Sequence, residues 1–281
     1  MLKRIVTIQD ISCFGKCSLT VALPILSAMG LETAVVPTAV LSTHTGGFSG
    51  YTFRDLTADI PEITKHWESI KLHFDGIYTG YLGSIEQVNI VADFFDRLAG
   101  EDTTIVVDPV MGDAGRLYAG FTPEFALEMK KLCSKADIIV PNMTEVSYLL
   151  DIPYTEKYDE TFVKDVLRRL TAIGCRTAII TGVRYGDDMH GAVAYDSVND
   201  TYYSSFQPHI DQPMHGTGDV FSSVLSGALI KGASLQQALD TAVAFTVDTI
   251  RETIPEKDTY WYGVSFEPCL GKLSEDCKNF R

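Results

Sequence analysis

The chain has 281 residues, 46% hydrophobic and 21% charged, and a formal net charge of −14. That balance is globular and not disordered, and an acidic surface repels phosphate backbones, which argues against a nucleic-acid partner but not against a small anionic ligand in a local pocket. No apolar run reaches the roughly eighteen residues that a membrane span needs, and the six cysteines, none in a Cys-x-x-Cys pair, read as free thiols of a reducing cytoplasm. The apolar run that opens the chain, Met1 to Asp10, is too short for a signal peptide, so export is not expected.

Arg4 to Gln9 predicts a first strand, and Ser18 to Ala28 a helix that Pro24 should kink. Thr33 to Val36 reads as a second strand, and Thr38 to Tyr51, rich in Thr, Ser and Gly, as a loop or small lid. A helix over Pro61 to Ile70 and a strand over Gly76 to Thr79 follow. From Ile85 to Leu98, apolar residues at helical spacing (Ile85, Val88, Val91, Phe95, Leu98) predict a further helix. Thr104 to Val107 is a buried-type strand ending at Asp108-Pro109. Then come a helix from Phe125 to Cys133, a strand from Ile138 to Val140, a helix from Thr144 to Leu150, an amphipathic helix over Phe162 to Ile173, and a strand from Thr177 to Thr181. Gly191 to Tyr195 and Thr201 to Phe206 predict a β-hairpin about Asn199-Asp200, followed by helices over Gly218 to Ile230 and Ser234 to Ile250. The tail from Lys257 has no clear period.

Strands alternating with helices imply a mostly parallel sheet covered on both faces, and no linker or repeat interrupts the rhythm, so residues 1–281 read as one domain. In such sheets ligands sit at the carboxyl ends of the strands. The residues there are Asp10 and Ser12, His44 and Thr45, Tyr81, Asp108, Asn142 with Glu145, and Thr181. Acidic groups without a basic complement suggest a Mg2+ held through water. Asn142 and Glu145, one helical turn apart at a helix start, fit equally well as a capping box.

The strongest local signal is Gly216-Thr217-Gly218-Asp219 before an apolar helix. Two glycines let successive N–H groups converge and form an anion hole with the helix N-terminus, and Asp219 could take a proton from a substrate hydroxyl. A plain glycine turn, with Asp219 favouring the helix dipole, is the alternative. The chain lacks a G-x-x-x-x-G-K-[ST] loop, a G-x-G-x-x-G after the first strand, an H-E-x-x-H and a G-x-S-x-G. P-loop, nicotinamide, zinc-protease and serine-hydrolase chemistry are thereby disfavoured.

Gly216-Thr217-Gly218-Asp219 resembles the signature of the ribokinase-like small-molecule kinases. The stretches Ile8-Gln9 to Phe14-Gly15, Ser42-Thr43-His44-Thr45, Gly80-Tyr81-Leu82-Gly83-Ser84 and Asp108-Pro109-Val110-Met111-Gly112 resemble its pyridoxal kinase branch, over roughly Ile5 to Ile250. The resemblance implies a three-layer α/β/α fold with a mostly parallel central sheet and a C-terminal β-hairpin. It implies transfer of the γ-phosphoryl of ATP to the 5′-hydroxymethyl group of a B6 vitamer. Hydroxymethylpyrimidine is the alternative acceptor, and a vitamer-binding protein without turnover the alternative of another class.

By the same resemblance Asp219 is the base, with Gly216, Thr217 and Gly218 forming the anion hole. Asp108, Asn142 and Glu145 lie around Mg-ATP, with Asp108 and Glu145 toward Mg2+, and Thr181 touches the nucleotide. Thr45 and Tyr81 line the pyridine pocket with His44 nearby, and the segment Asp113 to Thr122 is a flap with Gly115 and Gly120 as hinges. A monovalent cation such as K+, a homodimer and a cytoplasmic location are also implied. Two residues depart from the family pattern. Asp10 stands where Ser is usual, with Ser12 two residues on, and Gly46 where Gln is common. Both should face the pyridine ring, so an altered vitamer preference is expected.

Overall fold

The computed structural model describes residues 2–186 and 188–280. β1 (Arg4–Ser12) leads through α1 (Leu19–Ala28) to β2 (Glu32–Leu41) and a short β3 (Phe53–Asp55). α2 (Asp59–Ser69), β4 (Gly76–Thr79), α3 (Ile85–Leu98) and β5 (Thr104–Val107) follow, and then a small hairpin of β6 (Gly112–Asp113) and β7 (Arg116–Leu117). α4 (Pro123–Cys133), β8 (Ile138–Ile139), α5 (Met143–Leu150), α6 (Glu160–Thr171) and β9 (Thr177–Arg184) continue the alternation. The hairpin β10 (Met189–Asp196) and β11 (Thr201–Pro208) precedes α7 (Thr217–Lys231), α8 (Leu235–Thr253) and α9 (Leu270–Asp276).

The main sheet runs β11-β10-β9-β8-β5-β4-β1-β2-β3. Its interior pairs, from β2 through β1, β4, β5 and β8 to β9, are parallel. Both edges are antiparallel, β3 against β2 on one side and β10 with β11 beyond β9 on the other. Strands with both faces covered read as continuous apolar runs, and Ile77-Tyr78 of β4 and Ile105-Val106-Val107 of β5 do so. Side chains alternate across the sheet. Val6, Ile8, Ile77, Ile105 and Val107 pack into one core with α3 to α6, while Ile5, Tyr78 and Val106 pack into the other with α1, α7 and α8. The result is the expected three-layer α/β/α arrangement.

After its first turn α7 is buried all round from Val220 to Ala228, between α1 and α8. A helix wrapped in this way is a rigid base for anything at its N-terminus.

The elements expected over Gly76–Thr79, Ile85–Leu98 and Thr104–Val107 have the observed bounds. Several others run further. β1 reaches Ser12, so Asp10 and Ser12 lie in its last turn of pleat and not beyond it. β2 reaches Leu41, which shortens the loop expected from Thr38, because β1 and β3 supply hydrogen-bonding partners on both sides. The β1–β2 pairing passes from Gln9↔Pro37 to Ile11↔Val40, so Thr38 and Ala39 stand opposite Asp10 alone. Such a bulge re-aims the strand end where the side chains must point into a site. β9 continues past Thr181 to Arg184, and a second bulge lies between Gly191 and Ala192 on its partner β10. Pro24 sits inside an uninterrupted α1. The aperiodic tail carries α9 and short 3-10 turns at Ile254–Glu256, Glu267–Cys269 and Cys277–Asn279.

Among the described residues no helix is long and apolar enough to cross a membrane.

Candidate active site

Gly216 caps α7 with φ 81°, in the left-handed region that favours glycine. A Cβ there would also overlap the carbonyl oxygen of Lys16, so the position is closed to other residues twice over. Gly218 is different, since a Cβ there would meet nothing within 4 Å, and its outer face opens to the site. The first intrahelical bond runs from Val220 N–H to the Gly216 carbonyl at 3.0 Å. The N–H groups of Thr217, Gly218 and Asp219 precede that bond and therefore point outward at the positive end of the helix. Such a turn can hold an anion with backbone groups alone.

Asp219 stands in the same turn. Its Oδ2 accepts the Ser18 N–H at 3.0 Å, a bond that joins α7 to the start of α1 across 201 residues. Burial pushes the Asp219 carboxyl up to about 6, opposed by the Ser18 N–H and reinforced by the Asp10 carboxylate. A carboxylate held there is ionised at neutral pH yet basic enough to accept a proton in a transition state.

Asp10, 4% exposed, is the second carboxylate of this end. It accepts the Ser12 hydroxyl at 3.0 Å, and burial raises its pKa against hydrogen bonds from Ser18 and Ser12. Tyr81 lies close enough to Asp10 to feel its charge, and burial pushes its phenol up to about 12, so it faces the site as a neutral hydroxyl. Its ring packs on Phe121, which stacks on Phe125 at a centroid distance of 4.1 Å.

His44 is buried, and both ring nitrogens are engaged by the backbone. Nδ1 accepts the Gly46 N–H at 3.1 Å, so Nε2 carries the proton and donates to the Tyr262 carbonyl at 2.7 Å. The ring is neutral, its pKa lowered by burial, and it braces the loop after β2 against the C-terminal segment. Thr45 is exposed on that loop. Gly46 packs against His215, and a Cβ there would come within 2.8 Å of the His215 ring. The site that glycine occupies is therefore filled from the α7 side and has no room for a longer side chain in this arrangement.

On the other flank Asp108 follows β5 and Glu145 lies in the first turn of α5. Both are buried, at 6% and 3% exposure. Asp108 accepts the Ser222 hydroxyl at 2.7 Å. Glu145 uses both oxygens, one for the Met111 N–H at 3.1 Å and one for the Asn142 N–H at 2.8 Å. Asn142 returns the bond by accepting the Glu145 N–H at 3.0 Å. The capping box weighed from sequence is thus present, and it lies beside Asp108. Burial, followed by their mutual repulsion for Glu145 and by Asp219 for Asp108, holds both carboxyls well above the usual range. Thr181 reaches the same corner through a bridge to Asn142 and a 3.0 Å bond from its N–H to the Pro141 carbonyl.

The expected flap is the β6–β7 hairpin and the strand-free stretch after it. The Asn142 amide donates to the Gly112 carbonyl at 2.9 Å, and the Gly115 N–H donates to the Thr144 hydroxyl at 2.9 Å. Gly115 also packs against the Tyr154 ring, whereas Gly120, with φ 91°, has open space around it. Of the two expected hinges, the structure pins the first and leaves the second unencumbered.

Asp10, Ser12, Tyr81, Asp108 and Asp219 therefore converge, with Asn142, Glu145 and Thr181 forming the adjoining corner. Sequence reasoning missed Ser18, Ser222 and the Tyr260–Phe266 segment. Ser222 was within reach, being one helical turn beyond Asp219. Ser18 and Tyr262 have no local signal, because what they do is done to residues about two hundred positions away. Tyr202 and Phe206 belong to sheet packing: the Tyr202 hydroxyl donates to the Lys164 carbonyl at 3.2 Å, and Phe206 packs on Tyr185.

The sequence profile of the phosphomethylpyrimidine kinase family matches residues 23–261. A Bacteroides thetaiotaomicron protein, provisionally named a phosphomethylpyrimidine kinase and solved in a crystal form with pyridoxal, is 42% identical and superposes with a TM-score of 0.93 over 97% of this chain and 96% of its own. The pyridoxal kinase of Lactobacillus plantarum is 31% identical, with a TM-score of 0.89 over 97% of each chain. The pyridoxine/pyridoxal/pyridoxamine kinase of Bordetella avium is 28% identical over 267 residues, 89% of this chain and 85% of that protein. The fold is ribokinase-like, and the chain belongs to the phosphomethylpyrimidine kinase family.

Proposed function

We propose that this protein is an ATP-dependent kinase that phosphorylates the 5′-hydroxymethyl group of pyridoxal and its sister vitamers. The observation that carries the reading is the Asp219 carboxylate, anchored by Ser18 N–H directly beside the anion hole of α7. A protein that only bound a vitamer would have no use for a base aimed at the place where phosphoryl charge develops. The relatives named above as pyridoxal kinases, and the neighbour solved with pyridoxal, support the choice of acceptor.

Phosphoryl transfer leaves little covalent chemistry to a protein; positioning and charge stabilisation supply most of the rate. Asp219 accepts the proton of the acceptor hydroxyl as its oxygen attacks. The N–H groups of Thr217, Gly218 and Asp219 hold the charge on the phosphoryl oxygens in flight. Tyr81 and Thr45 flank the pyridine ring, and the flap over residues 113–122 screens the nucleotide from water. Thr181 and Asn142 lie along the nucleotide.

Two buried carboxylates with no cation facing them among the described residues fit a Mg2+ held through water, which Asp108 would hold more readily than Glu145, since Glu145 already spends both oxygens on backbone N–H groups. Among the described residues no group of three or more His, Cys, Asp or Glu side chains forms a direct cage for a metal ion, which agrees with an ion held largely by phosphates and water. When bound, Mg2+ neutralises charge on the terminal phosphates. The reading extends to a cytoplasmic homodimer and to a monovalent cation such as K+ beside the nucleotide.

The test is ADP release from Mg-ATP with pyridoxal, pyridoxamine, pyridoxine and hydroxymethylpyrimidine offered in turn. Turnover on a vitamer supports the reading. Turnover on the pyrimidine alone moves the protein to another acceptor with the same chemistry, and no turnover on any rejects it. The base must be ionised to act, so kcat/KM is expected to fall on the acid side with an apparent pKa near the value of about 6 that burial gives Asp219. Below that point the drop is about tenfold per pH unit. A profile flat down to pH 4.5 would contradict a carboxylate base of this kind.

Asp10 should set vitamer ranking. Its carboxylate is buried, with the Ser12 and Ser18 hydroxyls and its own backbone N–H as favourable partners, so a cationic acceptor, protonated at the ring nitrogen or carrying an amine, complements it. Asp10→Ser is expected to change the kcat/KM ratio of pyridoxamine to pyridoxine by about tenfold, the worth of one charge-assisted hydrogen bond. Unchanged ratios across the three vitamers would remove Asp10 from specificity.

A further inference from the structure

We propose that Lys16 is a positioning residue for the Asp219 base, and that the C-terminal segment Tyr260–Glu267 clamps Lys16 in that role. The proposal rests on the reading of Asp219 as the base.

The Lys16 side chain is only 14% exposed, and its ammonium lies 2.6 Å from Glu267 Oε2. The same ammonium sits 5.5 Å from the ring centroids of both Tyr260 and Phe266. Gly263, on the segment between those rings, approaches so closely that a Cβ there would come 2.5 Å from the Lys16 Cβ. Lysine is flexible and strongly hydrated, and it is held this way only when several partners fix it at once. With its charge consumed by Glu267 and two aromatic faces, Lys16 is not placed to receive a phosphate.

The main chain of Lys16 acts on the other side. Its carbonyl oxygen abuts Gly216, the residue that turns the anion-hole loop. Two residues on, the Ser18 N–H holds Asp219 Oδ2 at 3.0 Å. Ser18 does this with φ 56°, a left-handed conformation unusual for serine, and such strain persists only where the surroundings over-determine it. A cavity of about 220 Å3 lies behind this loop, between Phe14, Thr20, Tyr262 and Glu267. Beside that cavity the loop is held by the Lys16–Glu267 ion pair, the Tyr260 and Phe266 rings and the close approach of Gly263, and the Thr20 hydroxyl ties it to α1 through the Gly15 and Cys17 carbonyls. The path runs from the tail to Lys16, through residues 16–18, to the carboxylate and the anion hole together.

The experiment compares Lys16→Met, Lys16→Arg, Glu267→Gln and Asp219→Asn by steady-state kinetics with Mg-ATP and pyridoxal across pH. A misplacement of the base costs rate more than binding. Lys16→Met is expected to lower kcat by about 10–100-fold, with both KM values within about threefold. Glu267→Gln should lower kcat by about three- to tenfold, and Lys16→Arg, which keeps the ion pair and the ring contacts, should restore it to within about threefold of the parent.

The groups that face Asp219 are Asp10 from β1, Cys17 and the Ser18 N–H from the loop, Tyr78 from β4, Asp108 after β5 and Tyr118 after the small hairpin. Of these, the Ser18 bond alone favours the ionised form. Loosening it in Lys16→Met should move the acid limb of kcat upward, which a merely structural lysine would not do. Should Lys16→Met fail to fold, Glu267→Gln, whose side chain is 52% exposed, carries the test by the same readouts. Kinetics within about twofold of the parent for Lys16→Met and Glu267→Gln, beside an inactive Asp219→Asn, would overturn the proposal and leave the base in place. So would a loss of kcat with an unmoved acid limb. An active Asp219→Asn enzyme would overturn the base and the proposal with it.

Discussion

Asp219→Ala is expected to lower kcat by about 10²–10⁴-fold, the usual worth of a general base, while both KM values stay within about threefold. The expectation follows from where the residue sits. Its carboxylate is fixed by the Ser18 N–H, and it lies in the helix turn whose N–H groups meet the phosphoryl group. Removing it takes from the acceptor only the contact to the reacting hydroxyl, leaves the ring pocket of β1, the loop after β2 and Tyr81 in place, and takes nothing from the nucleotide corner at Asn142. The stability cost combines the helix-dipole contribution of a first-turn carboxylate, about 0.3–1 kcal/mol, with that of a Ser18 N–H left without its acceptor, about 1–3 kcal/mol. Asp219→Asn is the cleaner companion, because it keeps an oxygen for the Ser18 N–H and loses only the affinity for a proton. Steady-state rates, with the melting temperature as the control for folding, check both variants. A loss below about tenfold in either would mean that another group takes the proton, and Asp10, whose charge acts on Asp219, would be the one to replace next.

Gly216→Ala should be nearly as damaging for a different reason. The φ of 81° costs a residue with a Cβ roughly 1–2 kcal/mol, and the new methyl would also overlap the Lys16 carbonyl oxygen. The main chain must move, and the groups that move are the anion-hole N–H donors. Loss of one aligned donor typically costs about 10²–10³-fold in kcat. A fall of about 10²-fold is therefore expected, with a rise in the KM for ATP and a melting temperature lower by roughly 2–8 °C. Gly218→Ala is the internal control. A Cβ at Gly218 meets nothing within 4 Å, so this variant should melt with the parent and show its effect only when phosphate enters the same space. Equal melting temperatures for Gly216→Ala and the parent would mean that the loop is not held against Lys16.

The interior of the sheet was legible residue by residue, while its ends were not. β4, β5 and α3 have the bounds that their apolar patterns predict, since each is decided by which side chains face which core. β1, β2 and β9 extend beyond their apolar runs into polar residues, because a strand ends where its neighbours stop offering hydrogen bonds. Asp10 and Thr38 lie in those extensions and Thr181 stands just before one, so the strand ends beside the site are the ones whose bounds were misjudged. β3, three exposed residues long, and the two-residue strands β6 and β7 left no periodic trace at all.

In the site, Gly216 to Asp219 could be read as a turn, an anion hole and a base, because glycine's freedom and the helix terminus are local facts. Asn142 and Glu145 were open to two readings. The structure shows the capping box, and it shows that box seated beside Asp108, so one reading does not displace the other.

The order of the elements, the buried faces of the central strands and helices, and the chemistry gathered at the start of α7 were determined by the sequence alone, through side-chain periodicity and backbone freedom acting over a few residues. What tertiary structure decided is how that chemistry is aimed. Ser18 reaches Asp219 across 201 residues, Lys16 reaches Glu267 across 251, and His44 reaches Tyr262 across 218. These bonds form only after β1, α7 and the C-terminal segment have come together around two cores. No pattern within a short window records them, because a hydrogen bond depends on distance in space and not on position along the chain.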